Sequence, residues 1–243
     1  MRILIVSDIH SNSVALETVL AVSGSYDQLW NLGDTIGYGP RPNECVAAVR
    51  HSAVLIAGNH DLASLGKVDL SDFNPDARTA NIWNGEQLTA EHRSLLEALP
   101  PRRDVDERFL VVHASPREPI WEYLLTQEQA RENFALFDSQ VCFIGHSHVP
   151  LIFCLYPDGY CEGPMLADAG DTVELKPDMR YFINPGSVGQ PRNQDPRAAY
   201  AILDTEAGTI QFQRIEYDVA QTQRQMYEAH LPLALIRRLE YGM

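Results

Sequence analysis

Short apolar runs that end in polar residues constrain the fold of this chain more than any other feature. The first run, residues 3–6, reads Ile-Leu-Ile-Val, and such β-branched runs are typical of strands buried on both faces. Asp8 and His10 follow it almost at once. Similar runs occupy residues 29–32, 54–57, 109–112 and 141–144. Because ligands of open α/β sheets bind beyond the carboxyl ends of the strands, the polar residues after these runs are candidates for a functional site.

Helical patterns separate the runs in the first half of the chain. Leu16, Val19 and Leu20 form an apolar stripe, and residues 11–13 (Ser-Asn-Ser) offer candidate N-caps for that helix. In the last third of the chain strands predominate, and we expect them to be antiparallel. The patterns place them at residues 151–156, 181–183, 200–203 and 210–215, before a final helix at 233–240. This order of elements predicts an α/β sandwich in which helices lie outside a mixed sheet system.

Residues 61–105 interrupt the alternation of strand and helix. They contain no strand signal, and Leu95, Leu96 and Leu99 share one face of a predicted helix. We therefore expect a single domain over residues 1–243 with a helical insertion at 61–105. Since loops and insertions beside active sites often carry function, this segment is interpreted either as a lid over the site or as a dimer surface.

Composition and charge exclude several classes of protein. The formal net charge of -14 argues against a nucleic-acid-binding surface, which needs a basic face. The four cysteines form no CxxC pair, so we expect buried reduced thiols in a cytoplasmic protein. Residues 139–157 carry no charged side chain, but Gly145 and Pro150 would break a membrane helix. We predict two strands and a loop there, and no association with a membrane. The sequence leaves open whether the chain forms a homo-oligomer.

The residues that follow the apolar runs form an unusual set. They are Asp8, His10, Asp34, Asn59, His60, His113, His146 and His148. A single aspartate at a strand end is usually a turn former or a cap, but this set, with five of the eight histidines, favours a metal site. Imidazole, carboxylate and amide ligands suit divalent Mn, Fe, Zn or Ni rather than Ca or Mg. The number of ligands fits two ions that share a bridging ligand, an arrangement that catalyses in-line displacement at phosphorus.

Blocks within this set carry a resemblance to a known family. Five of them resemble, in order, the signature of the calcineurin-like metallophosphoesterases: Asp8-x-His10, Gly33-Asp34, Gly58-Asn59-His60-Asp61, His113 and Gly145-His146-x-His148. Residues 184–189 resemble a loop of the small bacterial and archaeal phosphodiesterase branch. The resemblance implies a four-layer fold, a two-sheet β-sandwich flanked by helices, and it assigns the ligands. One metal would bind Asp8, His10 and His148 and the other Asn59, His113 and His146, with Asp34 bridging them.

The resemblance also implies an activity. The expected enzyme is a binuclear phosphoester hydrolase in which a metal-bridging hydroxide attacks phosphorus and His60 protonates the leaving oxygen. The protein-phosphatase branch reads GDxxDRG at the second block, whereas residues 33–39 here read Gly-Asp-Thr-Ile-Gly-Tyr-Gly. The missing carboxylate leaves the orientation of His60 unexplained, and the missing arginine favours a diester over a dianionic monoester. A phosphodiesterase is the first hypothesis, and a phosphomonoesterase or phosphoprotein phosphatase is the first alternative.

The substrate is less well defined by the sequence. We expect a small-molecule phosphoester, and nucleotides are among the candidates. The sequence does not distinguish a dinucleoside polyphosphate from a cyclic nucleotide or a simpler diester as the substrate. Ser187 and Arg192 could hydrogen-bond a phosphate or a nucleotide, or could form an ordinary turn with a solvated arginine. Tyr38 either lines the pocket or packs on the surface. A non-catalytic scaffold, like the retromer subunit of this fold, would be expected to lose the acid position, yet His60 is present.

Overall fold

Two six-stranded β-sheets form the centre of the protein, which a computed structural model describes over residues 1–243. In spatial order the first sheet contains β3 (Val54–Leu55), β2 (Gln28–Asn31), β1 (Arg2–Val6), β11 (Ala198–Asp204), β12 (Thr209–Ile215) and β9 (Thr172–Glu174). The second contains β4 (Arg102–Asp104), β5 (Phe109–Val112), β6 (Val141–Phe143), β10 (Arg180–Asn184), β7 (Leu151–Leu155) and β8 (Cys161–Leu166). Each sheet mixes parallel and antiparallel pairs.

The directions of the strands place the functional loops. Strands β1, β2 and β3 are parallel to one another, and so are β5, β6 and β10. Within each sheet the carboxyl ends of these strands therefore meet at one edge. The predicted antiparallel direction is confirmed for β7, β11 and β12. It is wrong for the pairing of β10 with β6, which is parallel, because the chain crosses to β9 of the first sheet before it enters β10.

The main hydrophobic core lies between the two sheets. Trp30 of β2 meets Phe109 and Phe143 of the second sheet in edge-to-face contacts, with ring centroids 5.6 and 5.8 Å apart. These rings belong to a cluster of 21 buried residues contributed by both sheets. Aromatic pairs of this kind contribute about 0.5–1.5 kcal/mol each beyond the burial of their area. The packed interface thus supplies a rigid frame for the loops at the strand ends.

Eight α-helices flank the sheets. They are α1 (Ser13–Val22), α2 (Pro42–Val49), α3 (Asn59–Ser64), α4 (Pro75–Gln87), α5 (Ala90–Glu97), α6 (Gln127–Phe134), α7 (Val219–Glu228) and α8 (Leu233–Arg238). Asn12 caps α1, because its side-chain oxygen accepts a hydrogen bond from the amide of Ala15 at 3.2 Å. Two mixed sheets flanked by helices form an α/β fold, and the predicted fold class is confirmed.

The segment 61–105 is mainly helical, with a short 3-10 helix (Leu70–Asp72) before α4 and α5. It also contains β4, so the expectation that this segment has no strand is wrong. The Arg-Arg-Asp sequence conceals β4, which is an edge strand paired only with β5 and needs no apolar face. The polar edge strand β9 and the helix α7 are likewise absent from the elements predicted by the sequence.

The uncharged segment 139–157 forms β6 and β7 with a loop between them, as the sequence predicted. None of the eight helices has the length and hydropathy that a membrane span requires. The loop between β6 and β7 carries His146 and His148. All four cysteines are buried and unpaired, which agrees with the prediction of reduced thiols.

Candidate metal centre

The polar residues that follow the apolar runs converge on one buried site. They are Asp8 and His10 after β1, Asp34 after β2, Asn59 and His60 at the start of α3, His113 after β5, and His146 and His148 after β6. None of them is more than 5% exposed. Main-chain bonds join the loops: the amide of His10 donates to Asp34 O at 3.0 Å, and the amide of Gly145 donates to His113 O at 2.7 Å. The topology therefore brings distant segments of the chain together.

Left-handed backbone conformations recur through these loops. The φ angles are 52° for Asp8, 49° for His10, 51° for Asp34, 64° for His146 and 60° for His148. This conformation costs a non-glycine residue about 1–2 kcal/mol. Such strain persists only where the surrounding structure imposes it, and it is concentrated at functional sites. The backbone of the loops therefore marks the same residues that the sequence singled out.

Glycine precedes several of these residues because the backbone passes too close to neighbouring atoms for a Cβ. A Cβ on Gly58 would lie 2.0 Å from Asp34 Oδ1, and a Cβ on Gly145 would lie 2.1 Å from Ser7 Oγ. Any larger residue would push one loop away from the next. The Gly-Asn and Gly-His pairs in the sequence therefore reflect close packing between the loops.

The candidate ligands form two clusters that share Asp34. In the first cluster His10 Nε2 lies 3.0 Å from His148 Nε2 and 3.7 Å from Asp34 Oδ2. The same nitrogen of His148 lies 3.4 Å from Asp8 Oδ1. Two carboxylates and two imidazoles thus surround one point, at which a single cation could be held by all four groups.

The second cluster lies on the other side of Asp34. His113 Nε2 lies 3.4 Å from Asp34 Oδ2 and 3.1 Å from Asn59 Oδ1. The ring of His146 lies beside that of His113, with centroids 5.2 Å apart. The division of the ligands into these two clusters is the one that the family resemblance implies.

The two carboxylate oxygens of Asp34 have different environments. Oδ1 accepts a hydrogen bond from the amide of His60 at 2.8 Å, whereas Oδ2 is buried without a hydrogen-bond partner. A buried carboxylate oxygen that lacks a partner is costly. Oδ2 lies between the clusters, where divalent cations would satisfy it, and the nitrogen and oxygen donors suit borderline metals such as Mn, Fe, Zn or Ni. The residues present therefore fit bound divalent metal.

Main-chain oxygens orient the imidazole rings. Nδ1 faces a main-chain oxygen in His10, His113 and His148. For His113 the acceptor is Leu32 O at 2.9 Å. Donation from Nδ1 leaves Nε2 as the metal-binding nitrogen, an arrangement common among histidine ligands. His146 is reversed, since its Nε2 lies 3.2 Å from Trp121 O and its Nδ1 is left for a metal.

Burial and mutual charge set the protonation of the site. Burial raises the pKa of Asp8 to about 7. Burial also disfavours the charge on Asp34, but the positive charges of His113, His60 and His10 together outweigh it and hold the pKa of Asp34 below its ordinary value. Burial similarly disfavours the charge on His113, but Asp34 outweighs it and raises the pKa of His113 to about 9. An anionic Asp34 is therefore paired with a cationic His113, whose proton a metal would replace.

His60 flanks the two clusters at the start of α3. Its ring packs against Tyr38, with centroids 4.3 Å apart, and against Phe73, with centroids 4.9 Å apart. Its Nδ1 lies 2.9 Å from Oδ1 of Asn81 in α4. Burial lowers the pKa of His60 to about 4. The orienting group that the loop 33–39 lacks is thus supplied by an amide from the helical segment.

Asn84, one turn after Asn81, is another residue that the sequence analysis missed. Its side-chain nitrogen donates to Gly39 O at 3.1 Å, and its side-chain oxygen accepts from the amide of Gly37 at 3.1 Å. It therefore holds the loop that follows Asp34. The spacing of two asparagines on one helical face is the only sequence signal for these residues, and by itself it is weak.

Trp121 and Tyr123 also escaped the sequence analysis. They lie in the loop between β5 and α6, which carries no motif. Tyr123 stacks on the ring of His146, with centroids 4.1 Å apart and an interplanar angle of 19°. Trp121 contacts Phe73 at 5.4 Å and supplies the oxygen that orients His146. An aromatic rim therefore surrounds the buried clusters.

Ser187, predicted to contact a phosphate, is not placed for that role. It is fully buried, and its hydroxyl donates to Asp8 O at 2.8 Å while accepting from the amide of Gln190 at 2.8 Å. A hydroxyl has one hydrogen, so none is left for a substrate. Ser187 instead holds the loop that carries Asp8.

Arg192 and Tyr38, the other predicted substrate contacts, lie beside the site. Tyr38 is 4% exposed and packs against His10 and His60 rather than on the surface. Arg192 is half-buried, and its guanidinium donates to the hydroxyl of Tyr38 at 3.4 Å and to that of Tyr123 at 3.3 Å. Arg192 is therefore not a solvated turn residue.

Known proteins resemble this chain over most of its length. Residues 1–208 match the family described as calcineurin-like phosphoesterase superfamily domain. Uncharacterized protein MJ0912 of Methanocaldococcus jannaschii is 36% identical over an alignment of 247 positions, which covers 99% of this chain and 98% of the relative. A crystal structure of a metallophosphoesterase from Sphaerobacter thermophilus is 48% identical with a TM-score of 0.89, and the match covers 100% of this chain and 99% of that chain. The symmetrical bis(5'-nucleosyl)-tetraphosphatase of Vibrio campbellii is 30% identical over 159 residues, 58% of this chain and 54% of the relative.

Two mixed sheets flanked by helices, with Asp, Asn and His side chains clustered at the strand ends, define a metal-dependent phosphoesterase. The chain belongs to the calcineurin-like phosphoesterase superfamily, as the family match shows. The resemblance that the five sequence blocks carry is thereby confirmed.

Proposed function

We propose that this chain is a binuclear metal-dependent phosphodiesterase. The observation that carries the proposal is Asp34 Oδ2, which is buried without a hydrogen-bond partner between His10 Nε2 at 3.7 Å and His113 Nε2 at 3.4 Å. An oxygen in this position can bridge two ions. A purely structural carboxylate has donors for both oxygens, as Asp61 has in two main-chain amides.

The chain provides separate ligands for each proposed ion. Asp8, His10 and His148 bind one ion, and Asn59, His113 and His146 bind the other. Mn, Fe, Zn and Ni all suit these donors. When bound, the ions supply the Lewis acidity that activates a water nucleophile and offsets charge on the phosphoryl oxygens. The chain itself fixes the ligand geometry through its strained loops and excludes bulk water from the buried clusters.

His60 is the proposed proton donor to the leaving oxygen. Its ring lies beside that of His10, with centroids 4.9 Å apart, yet His60 belongs to neither cluster. Asn81 engages Nδ1, so Nε2 is the nitrogen available for proton transfer. The pKa of about 4 must rise when a phosphoester anion binds nearby, because a neighbouring negative charge favours the imidazolium.

The charges around the site support a diester substrate. The loop 33–39 contributes neither an arginine nor a second carboxylate. Arg192 is the one guanidinium that hydrogen-bonds to residues packed on the candidate ligands, through the hydroxyls of Tyr38 and Tyr123. A diester phosphoryl group carries one negative charge and needs fewer cationic partners than a dianionic monoester. A phosphomonoesterase on the same ligands is the alternative.

Hydrolysis of a dinucleoside polyphosphate is a second candidate for the same site. The Vibrio campbellii relative that is 30% identical over 58% of this chain is named a bis(5'-nucleosyl)-tetraphosphatase. Hydrolysis of such a phosphate chain also proceeds by displacement at phosphorus, so the same ligands would serve it. The two candidates differ in the groups that surround the reacting phosphoryl group.

The helical segment 61–105 is proposed to form one wall of the site, and not a dimer surface. Phe73 packs on His60, Asn81 engages its ring, and Asn84 bonds to the loop that follows Asp34. A segment with these contacts shapes the space next to the metal clusters. Its sequence would therefore influence which substrates enter.

Metal analysis and paired substrates test the proposal. Protein loaded with Mn²⁺ should contain two ions per chain and hydrolyse bis-p-nitrophenyl phosphate faster than p-nitrophenyl phosphate. Asp34→Asn should lose at least one ion and about 10²–10³-fold in kcat, since several kcal/mol of charge stabilisation depend on the ions. Asp195→Asn is the control, because Asp195 pairs with Arg197 outside the site and should keep both ions.

Different failures point to different conclusions. A single ion in the wild-type protein, or equal metal loss in both variants, would contradict the binuclear site. Faster cleavage of the monoester would favour a phosphomonoesterase, and consumption of a dinucleoside tetraphosphate would favour the second candidate. Inertness toward all of these under Mn, Fe, Zn and Ni would favour the non-catalytic scaffold.

A further inference from the structure

Two arginines from distant parts of the chain meet at the ring of Tyr38. Arg192 lies in the loop between β10 and β11, and Arg238 is the last residue of α8. The guanidinium carbons lie 5.9 Å and 6.0 Å from the ring centroid. The same ring lies 4.8 Å from the ring of His10 and 4.3 Å from that of His60. The arginine pair is therefore one aromatic ring away from the candidate metal centre.

No Asp or Glu side chain neutralises Arg192. Its guanidinium donates only to uncharged oxygens, the hydroxyls of Tyr123 and Tyr38 at 3.3 and 3.4 Å and Gln190 Oε1 at 3.4 Å. Its Nε is buried and has no hydrogen-bond partner. A half-buried cation held by neutral groups alone, with one nitrogen unpartnered, can still accept an anion that the protein itself does not supply.

Arg238 also lacks an Asp or Glu partner. Its Nε donates to an oxygen of Met243, the last residue of the sequence, and its terminal amino groups make no further hydrogen bond. Burial, together with the charge of Arg192, lowers the pKa of Arg238. Arg117, by contrast, is paired with Glu122 and Glu132. The two guanidinium groups thus meet at one aromatic ring with no Asp or Glu side chain bridging them.

We propose that Arg192 and Arg238 bind a second phosphate group of the substrate, next to the phosphoryl group that reacts at the metal centre. The inference rests on the proposed function and narrows the substrate to compounds with at least two linked phosphates, such as nucleoside polyphosphates. A guanidinium group can bind two oxygens of one phosphate through a pair of parallel hydrogen bonds. A residue that only formed a turn or stacked on tyrosine would not require this geometry.

The relative positions of the arginines assign them to different parts of a phosphate chain. Arg192 donates to the hydroxyl of Tyr123, whose ring stacks on His146, so its guanidinium lies on the side of the metal centre. Arg238 contacts the ring of Tyr38 but makes no hydrogen bond to a residue that packs on the candidate ligands. Arg238 therefore lies farther from the metal clusters and faces the next phosphate, while Arg192 is shared.

Calorimetric titration of the Mn²⁺-loaded full chain with two ligands tests this inference. AMP carries one phosphate, and its hydrolysis-resistant α,β-methylene diphosphate analogue carries two on the same nucleoside. We expect the analogue to bind the wild-type protein at least about tenfold more tightly, as one additional charge-assisted contact predicts. Arg238→Gln should reduce the affinity ratio to about one. Arg238→Lys, which retains the positive charge but not the planar guanidinium that can donate two parallel hydrogen bonds, should give an intermediate ratio.

Arg237→Gln is the matched control, since Arg237 is exposed on the same helix and should leave the ratio unchanged. Each ratio is taken within one protein, so differences in metal loading or stability cancel. A wild-type ratio near one, or a high ratio that Arg238→Gln leaves intact, would overturn the inference. If Arg238→Gln does not fold, Arg238→Lys decides. Failure of the proposed function is distinguishable, because diester hydrolysis would then be absent whatever the affinity ratio.

Discussion

Nδ1 of His60 lies 2.9 Å from Oδ1 of Asn81, and this contact links the candidate proton donor to the helical segment. The other end of the same amide, Nδ2, is buried without a partner. Asn81 therefore controls the tautomer of His60. An accepting oxygen requires a proton on Nδ1, whereas a donating amide nitrogen would require Nδ1 without one.

Loss of this contact should slow the protonation of poor leaving groups. We expect Asn81→Ala to reduce kcat about 10-fold to 100-fold for a diester with an alkoxide leaving group, as loss of positioned acid catalysis predicts. Hydrolysis of bis-p-nitrophenyl phosphate should change by less than about threefold, because nitrophenolate departs without a proton. Steady-state kinetics with both substrates measure the difference, and the metal content should stay at the wild-type value.

Asn84→Ala is the matched control for this prediction. Asn84 lies one turn later on α4 and bonds to the loop 37–39 rather than to His60, so its loss should slow both substrates equally. In a His60→Ala background, Asn81→Ala should cause no further loss of kcat. The effects of two substitutions are not additive when one residue acts through the other. Equal slowing of both substrates by Asn81→Ala would argue against a positioning role.

The candidate metal ligands could be predicted from the sequence because each lies within a few residues of a buried strand end. For parallel neighbouring strands, position along the chain is enough to place residues such as Asp8 and Asp34 at one edge of a sheet. Asn81 could not be predicted in this way. It lies inside a polar helix, and its role depends on how that helix packs against α3, which local sequence does not specify.

The same limit explains the errors in the fold. β4 is a polar edge strand, so the apolar pattern that revealed β5 and β6 is absent from it. The direction of β10 depends on a crossover between the sheets rather than on its own residues. The sequence identifies the loop that contains Ser187, but the partner of its hydroxyl is a main-chain oxygen 179 residues away in sequence, which no local motif encodes.

Ser187→Ala should destabilise the protein without weakening substrate binding. Its removal leaves the amide of Gln190 without an acceptor and takes one of two donors from the buried Asp8 O, which keeps the amide of Gly189. An unsatisfied buried group of this kind costs about 1–3 kcal/mol in the free energy of unfolding. Denaturant unfolding measures that cost, and KM for the diester should remain at the wild-type value. Ser52→Ala is the control, since Ser52 Oγ has no partner to lose. A raised KM with unchanged stability would restore Ser187 as a substrate contact.

Gly58→Ala should release metal from the site. The added Cβ would lie 2.0 Å from Asp34 Oδ1, so either Asp34 or the start of α3 must shift. We expect the metal content to fall below that of the wild-type protein and the free energy of unfolding to fall by about 1–3 kcal/mol, as overpacking predicts. Gly66→Ala provides the comparison, because nothing lies within 4 Å of the added Cβ and only the left-handed backbone opposes it. Full metal occupancy in Gly58→Ala would show that the two loops can separate without losing the ligand geometry.

Metal binding should release protons, and the number released should depend on pH. Burial raises the pKa of Asp8 to about 7, and Asp34 raises that of His113 to about 9 against the effect of burial. Below pH 7 both groups therefore carry a proton in the metal-free protein, and binding of the two proposed ions must displace both, one proton from each cluster. Between pH 7 and pH 9 Asp8 is ionised and only His113 retains its proton.

The apparent affinity for Mn²⁺ should accordingly rise with pH, by up to about tenfold per pH unit below pH 7 for the ion at Asp8 and by up to about tenfold per unit below pH 9 for the ion at His113. Titration calorimetry in buffers of different ionisation enthalpy measures the protons released at each pH. Asp34→Asn should reduce the release above pH 7, because His113 without the charge of Asp34 returns toward its lower, burial-dominated pKa. An affinity that is independent of pH from pH 6 to pH 8 would mean that Asp8 and His113 are not ligands, since a ligand must lose its proton before a metal can take its place.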